Sequence, residues 1–265
     1  MRRFLENNYH THTYRCQHAV GTEREYIEAA IGMGIKQLGF SDHVPCSLAE
    51  SFVPGMRMTF LQAEEYVDTL RKLAHEYKNQ IEILIGFEAE YSKQYYPEQK
   101  EMADRLGIDY MIIGQHFLVD GDGHVLLPSP TDDRKLLRTY MQSLIEGMQT
   151  GSYAYIAHPD FVEFTGRKEE YEEECRDFCR QAKLLQIPLE INMQGMSAGK
   201  RYPQPAFWEI VGEVGNDVII GADAHTAQQL ENVEIYDKCM ELVRQYHLHL
   251  IGDLKLDRRK IEDDK

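Results

Sequence analysis

One pattern constrains this chain more than any other: short apolar runs alternate with amphipathic stretches, seven times over, along its 265 residues. Short apolar runs bounded by turn residues read as strands buried on both faces, and the stretches with helical periodicity read as the helices that cover them. The first unit is a strand over Leu5–Thr11 and a helix over Thr22–Met33, which opens on a Thr22/Glu25 capping box and ends near Gly34. Further strands are expected at Lys36–Ser41, Glu82–Phe87, Tyr110–Gly114, Tyr153–Ala157, Pro188–Asn192 and Asp217–Gly221. The matching helices are Thr59–Tyr77, Pro97–Leu106, Asp132–Met148, Lys168–Leu185, Pro205–Glu213 and Ala227–Tyr246. Leu118–Leu127 stands apart as a hairpin around Asp120-Gly121-Asp122-Gly123. Repeated β-then-α units demand parallel strands with right-handed crossovers, so the chain is α/β. It either closes into a barrel or stays open and doubly wound.

The polar residues decide between these. Seven of the 11 histidines (His10, His12, His18, His43, His116, His158 and His225) fall at or just past the C-terminal ends of expected strands. Glu88 ends the third strand and Asp223 follows the seventh. His10 and His12 are two apart, as are Asp223 and His225, and residues two apart in a strand share a face. A lone His-x-His is most often a pair of surface residues, and repetition at successive strand ends is what gives this pair weight. In β/α folds the active site lies at that end of the sheet. First, middle and last strands converge there most easily in a closed barrel, and about 250 residues is a typical length for one.

Imidazole and carboxylate together suit zinc, iron or manganese. Nine donors exceed what one ion needs, so two or three divalent ions are expected. Three would bring about +6 against two carboxylates, a local field that draws in a phosphate dianion. Ions that share a hydroxide can clamp an in-line displacement at phosphorus. The whole chain carries a net charge of −15, which repels nucleic-acid backbones and anionic membranes but leaves a small phosphate ester eligible. No P-loop, G-x-G-x-x-G, G-x-S-x-G or H-E-x-x-H motif is present. Five cysteines without a C-x-x-C pair point to a reducing, cytoplasmic setting. No stretch resembles a signal peptide or a membrane span. No patch in the sequence marks an interface, so the oligomeric state is not readable from it.

The runs Tyr9-His10-Thr11-His12-Thr13, His18-Ala19-Val20-Gly21-Thr22, Phe40-Ser41-Asp42-His43-Val44-Pro45, Gly86-Phe87-Glu88, Gln115-His116-Phe117, Ala157-His158-Pro159-Asp160, Leu189-Glu190-Ile191-Asn192 and Ala222-Asp223-Ala224-His225 resemble the PHP (polymerase and histidinol phosphatase) superfamily. Within it the chain is most similar to the histidinol-phosphate phosphatases, from residue 8 to about 245, with all nine ligand positions filled in order. The resemblance implies a distorted (β/α)7 barrel, TIM-like. With no linker in the sequence, a single domain is expected, its core over about residues 5–246, and the charged tail over about 254–265 is expected to fray. The resemblance also implies a trinuclear centre: His10, His12, Glu88 and Asp223 on one ion; Glu88, bridging, with His116 and His158 on a second; His18, His43 and His225 on a third. It implies that a metal-bound hydroxide attacks L-histidinol phosphate and releases L-histidinol and phosphate, a step of histidine biosynthesis. Ala222 stands where a Ser is common, and the stretch from Gln194 to Pro203 matches only loosely.

Around this set, Asp42 either orients a ligand or, with His43, takes part in catalysis by protonating the leaving alkoxide. Arg201 and Arg167 are candidate phosphate contacts by bidentate hydrogen bonds, and Asn192 a substrate contact or a loop-fixing group. Cys16 reads as a packed thiol near His18. His75, His124, His247 and His249 read as surface residues, and Trp208 as core or pocket wall. Two other functions compete: a nuclease or nucleotide phosphoesterase on the same scaffold, disfavoured by the acidic charge, and a binding protein that has lost catalysis, disfavoured by the complete ligand set.

Overall fold

The computed structural model describes residues 4–45, 56–119, 125–126, 130–254 and 256. Cys46, the turn at Asp120–Gly123, His124 and most of the charged tail lie outside the described residues. Parallel strands form the wall of the molecule. β1 (Asn7–Asn8) pairs with β2 (Gln37–His43), β2 with β3 (Glu82–Ala89), and β3 with β4 (Tyr110–Ile113). β5 (Leu118–Val119) and β6 (Val125–Leu126) make the expected antiparallel hairpin. β7 (Leu189–Asn192) pairs with β8 (Asp217–Gly221). The segment 153–157 lies between the two groups, bridged through Ile156 to Ile113 on one side and Leu189 on the other. A parallel bridge between Thr11 and Ala224 brings the last strand back to the first. Seven extended segments therefore succeed one another around a closed wall in the expected order.

Helices α1 (Glu23–Met33), α2 (Phe60–Tyr77), α3 (Tyr96–Leu106), α4 (Arg134–Gln149), α5 (Lys168–Leu184) and α7 (Pro205–Val214) match the expected ones to within about two residues. Thr22 and Glu25 form the capping box, and Gly34 closes α1 at φ 77°. The helices cover the wall through one large apolar core that includes Trp208, Phe207, Phe178 and Tyr66. A second cluster holds Tyr9, Leu84, Tyr110, Ile112, Tyr155, Ala157, Ile219 and Leu254. Leu84 and Glu88 are four apart on β3, hence on one face, so this cluster forms the apolar floor beneath the carboxylate.

The expected strand Leu5–Thr11 is regular only over Asn7–Asn8, and the expected strand Tyr153–Ala157 pairs only through isolated bridges at Ile156. The chain departs from expectation in three further places. A short helix, α6 (Met193–Ser197), follows β7 because the Asn192 side chain caps it, accepting from Gly195 N at 2.8 Å. The last helix is broken: a 3-10 turn over Ala227–Glu231 ends at Asn232, whose side chain accepts from Ile235 N and starts α8 (Val233–Gln245) afresh. The segment after α8 is not loose. It reverses at His247 (φ 52°) and returns as β9 (His249–Leu250), parallel to the start of β8. Asn7 donates to Gly252 O at 2.8 Å, and Tyr9 donates its hydroxyl proton to Asp253 at 2.7 Å. Leu254 is then only 7% exposed, so the described end of the chain enters the end of the barrel remote from the histidines. Among the described residues, no helix is long and apolar enough to cross a membrane.

Candidate metal centre

The register of the wall brings the polar strand ends to one level. His43 ends β2 directly opposite Glu88 on β3. His116 follows β4, His158 follows the segment 153–157, and Asp223 and His225 follow β8. His10 and His12 continue beyond β1, and His18 lies past a 3-10 turn over Tyr14–Cys16 that the Thr13 side chain caps. His10, His12, His43, Glu88, His158, Asp223 and His225 are buried.

Glu88 is the hub. Its Oε1 lies 3.0 Å from His158 Nε2, 3.6 Å from His10 Nε2 and 3.8 Å from His116 Nε2. Its Oε2 lies 3.0 Å from His43 Nδ1 and 3.5 Å from His12 Nε2. Asp223 Oδ1 is 3.1 Å from His12 Nε2 and 3.5 Å from both His10 Nε2 and His225 Nδ1. His225 Nε2 faces His18 Nε2 at 2.8 Å. All nine expected donors are thus gathered in one hollow.

The arrangement fits metal ions. Two ligands about 2.1 Å from a tetrahedral ion stand about 3.4 Å apart, close to most of these separations. Buried His43 Nδ1 and Glu88 Oε2 stand 3.0 Å apart without hydrogen-bond geometry, and neither has a hydrogen-bond partner in the protein, a costly state for polar atoms unless something else satisfies them. Sets such as His18/His43/His225, His10/His12/Glu88 and His10/His158/Asp223 each bring their donor atoms within 4.8 Å of one another. The electrostatics agree. Burial raises the Glu88 and Asp223 carboxyls, but the surrounding imidazoles outweigh it and hold both well below the usual carboxylate range. Burial favours neutral His10, yet Glu190, Asp223 and Glu88 draw its pKa well above the ordinary value. His12 is raised too, against burial, by Asp223 and Asp42. Burial drives His43 well below the ordinary value and pushes His225 down to about 3. Ionised carboxylates beside imidazoles make a hollow that attracts positive charge.

Most of the histidine rings are fixed from behind. His10 Nδ1 meets Glu190 Oε1 at 2.8 Å, His12 Nδ1 meets Asp42 Oδ1 at 3.4 Å, and His116 Nδ1 meets Glu90 Oε1 at 3.0 Å. His18 Nδ1 is 2.8 Å from Cys16 O, and His225 Nδ1 is 2.9 Å from Asp223 O. Such partners select the tautomer and leave the other nitrogen free for a cation. Arg57 in turn grips Glu90 at 3.0 and 3.1 Å. The carboxylates need room: a Cβ on Gly114 would fall 1.7 Å from Glu88 Oε1, and one on Gly221 would fall 1.8 Å from Glu190 Oε1. His158 (φ 30°) and Asp223 (φ 49°) hold left-handed backbone, strain that persists where the surroundings dictate the geometry.

The remaining expected residues separate into two groups. Asp42 is buried with both oxygens occupied: Thr13 N and Oγ1 donate to Oδ2, while His43 N and His12 reach Oδ1. This geometry favours orientation of His12 over proton donation to a leaving group. Asn192 holds Glu190 at 2.9 Å and Asp223 at 3.1 Å through Nδ2 and caps α6 through Oδ1, which is a fixing role. Arg201 is half-exposed and engages Glu163 at 2.5 Å. Arg167 is 72% exposed and its ion pairs, at 3.7 and 4.0 Å, are with Glu169 and Glu170 of the α5 surface; neither arginine is drawn onto the ligands. Cys16 is buried, its sulfur accepting from Ala19 N at 3.3 Å and lying within 4.8 Å of donor atoms on His12 and His225. Cys16, Cys175, Cys179 and Cys239 are all free.

Glu190 lies in the run Leu189-Glu190-Ile191-Asn192 but has no role assigned to it from sequence, and Glu90 and Arg57 lie outside every run quoted above. Glu190 shares a strand face with Asn192, and Glu90 lies two beyond Glu88, so alternation carried a signal for both. Nothing local marks Arg57.

The sequence profile of the PHP domain matches residues 8–194. A probable histidinol-phosphatase of Deinococcus radiodurans is 28% identical over 230 residues, covering 82% of this chain and 85% of the relative. Its counterpart in Schizosaccharomyces pombe is 26% identical over 251 residues, covering 83% and 81%. The crystal structure of histidinol phosphate phosphatase from Lactococcus lactis, complexed with zinc, L-histidinol and phosphate, superposes with a TM-score of 0.72 at 20% identity, over 95% of this chain and 99% of that one. The likeness of that structure extends to the barrel as a whole.

Proposed function

The chain belongs to the PHP domain family, and on that premise we propose that it is a metal-dependent phosphomonoesterase that hydrolyses L-histidinol phosphate to L-histidinol and phosphate. The observation that carries this reading is the convergence of seven imidazoles and two carboxylates around buried Glu88. Relatives that span more than four-fifths of this chain bear the histidinol-phosphatase name, which supplies the substrate.

The proposed ligand sets are His10, His12, Glu88 and Asp223; Glu88, His116 and His158; and His18, His43 and His225. Zinc, manganese or iron held there supplies Lewis-acid charge and an activated water for attack at phosphorus. The chain's own part is to place those donors and to keep the floor of the hollow dry. Glu88 is shared because its two oxygens face different groups of histidines. His43 acts as a ligand, and Asp42 keeps His12 turned towards the centre. The inner apolar cluster closes the barrel below, so the substrate enters only from the rim. Arg201, carried by the loop that also presents Tyr202, is proposed to exchange Glu163 for phosphate. Arg167 keeps only its sequence-based candidacy. Four free cysteines accord with a reducing, cytoplasmic setting.

The test is phosphate release by protein loaded with zinc or manganese, from L-histidinol phosphate, phenyl phosphate and a nucleotide in parallel. A high kcat/KM confined to the first supports the reading. Equal weak activity on all three removes the substrate and keeps the chemistry. Activity on single-stranded DNA that collapses with added salt turns the reading to a nuclease.

A further inference from the structure

The hollow meets solvent at two places: at His18, which is exposed, and near His116, whose side chain is 15% exposed. The surface neighbouring His116 is aromatic. Phe161 is half-buried and stands edge-on to the His116 ring, centroids 5.4 Å apart at 84°. The same ring is 5.7 Å from His158 and 5.6 Å from Tyr202, and Tyr202 lies 5.5 Å from His158. Phe161 is held there by a tight turn in which its N donates to His158 O at 3.1 Å. Tyr202 is locked as well: it is 4% exposed, and a Cβ on Gly195 would fall 2.3 Å from its ring. Two rigid rings therefore border the corner where His116 and His158 approach Glu88.

A phosphate seated at that corner must point its ester oxygen outward, since the apolar floor closes the other direction. The alcohol it carries then passes over the partly open Phe161 ring. Aromatic pairs gain energy beyond simple burial, and a cationic ring adds attraction to the π-face.

Resting on the phosphomonoesterase reading above, we infer that Phe161, backed by Tyr202, forms a specificity wall that selects phosphate monoesters whose alcohol bears a planar ring. The opposite rim offers Tyr14 and Val20, 46% and 61% exposed. Tyr14 is packed by no other aromatic ring among the described residues, only by the Arg15 guanidinium 4.5 Å from its centroid. That makes it the weaker platform.

The experiment compares wild type, Phe161→Leu and Tyr14→Ala, all metal-loaded, on L-histidinol phosphate and on O-phosphoethanolamine, which keeps the amine and phosphate but lacks a ring. Phe161→Leu is expected to raise KM for the ring-bearing ester about threefold to tenfold, with kcat, the ringless ester and metal content unchanged. Equal losses on both esters would show that Phe161 merely holds His116 and His158, and would overturn the inference. So would no change, or a loss of ring preference in Tyr14→Ala instead. Should L-histidinol phosphate not be turned over, the substrate reading falls on its own. Calorimetric binding of phenyl phosphate against O-phosphoethanolamine, in the same three proteins, then decides the wall.

Discussion

Glu190 Oε1 lies 2.8 Å from His10 Nδ1, at a point where neither residue is exposed to solvent. The carboxylate also accepts from His158 N and from Asn192, so one buried acid orients two ligand-bearing segments. Glu190→Gln keeps the size but can no longer serve all these donors. It is expected to weaken metal binding about tenfold to a hundredfold, measured by competition with a chelator, and to recover most of its activity at saturating metal. Unchanged affinity with a lost kcat would assign Glu190 to the chemistry itself.

Gly114 tests the hub. A methyl group there displaces the Glu88 carboxylate, because its Oε1 occupies that space. Gly114→Ala should leave the circular dichroism spectrum intact, lower the number of bound ions and cut kcat/KM on the order of a hundredfold, the scale of a misplaced reacting group. Full metal content with full activity would show that Glu88 moves aside freely.

Asp160 sets a pH dependence of stability. Burial raises its carboxyl to about 7, against donors from Gln204 and Trp208 that lower it. The folded chain then keeps a proton that the unfolded chain releases near pH 4, so stability falls as pH rises from about 4 to about 7 and levels off above. Asp160→Asn retains an acceptor and removes the titration. Urea denaturation at pH 5 and pH 8 should show wild type losing more stability than the variant; parallel losses would refute the assignment.

Leu254 anchors the returning tail. Its truncation in Leu254→Ala opens a space beside Tyr9, Tyr110 and Ile219. The expected cost is about 2 kcal/mol in urea, the lower end for a buried leucine, with metal content unaffected because the ligands lie at the other end of the barrel. A null effect would mean that the plug contributes nothing to closure.

Much of this was legible in the residue pattern. Apolar runs ending in His or an acid gave the order of the wall and its ligand-bearing rim, because strand period and burial both leave marks in sequence. Leu248 and Leu250 alternate with histidines as a strand would, but two residues of pairing are too few to stand out from a polar tail. Asn232 divides the last helix by a competing cap within an otherwise continuous helical pattern. Arg57 could not be found, since its partner Glu90 lies 33 positions away and no local period connects them. Arg201 shows the reverse: a cation placed suitably in sequence is met in the structure by a carboxylate, Glu163, that nothing nearby announces.

The junction of Asn7 and Tyr9 with Gly252 and Asp253 has a kinetic consequence. These contacts span 244 to 245 positions, so the barrel cannot shut during synthesis until residue 253 has left the ribosome. Contacts of such long range are slow to form, because the entropy of loop closure must be met before they contribute. The histidine at position 10 thus waits exposed for its partner at position 190 and for the tail at 254. A nascent chain of this kind spends its vulnerable interval holding an incomplete set of metal donors, open to mismetallation and to chaperones alike.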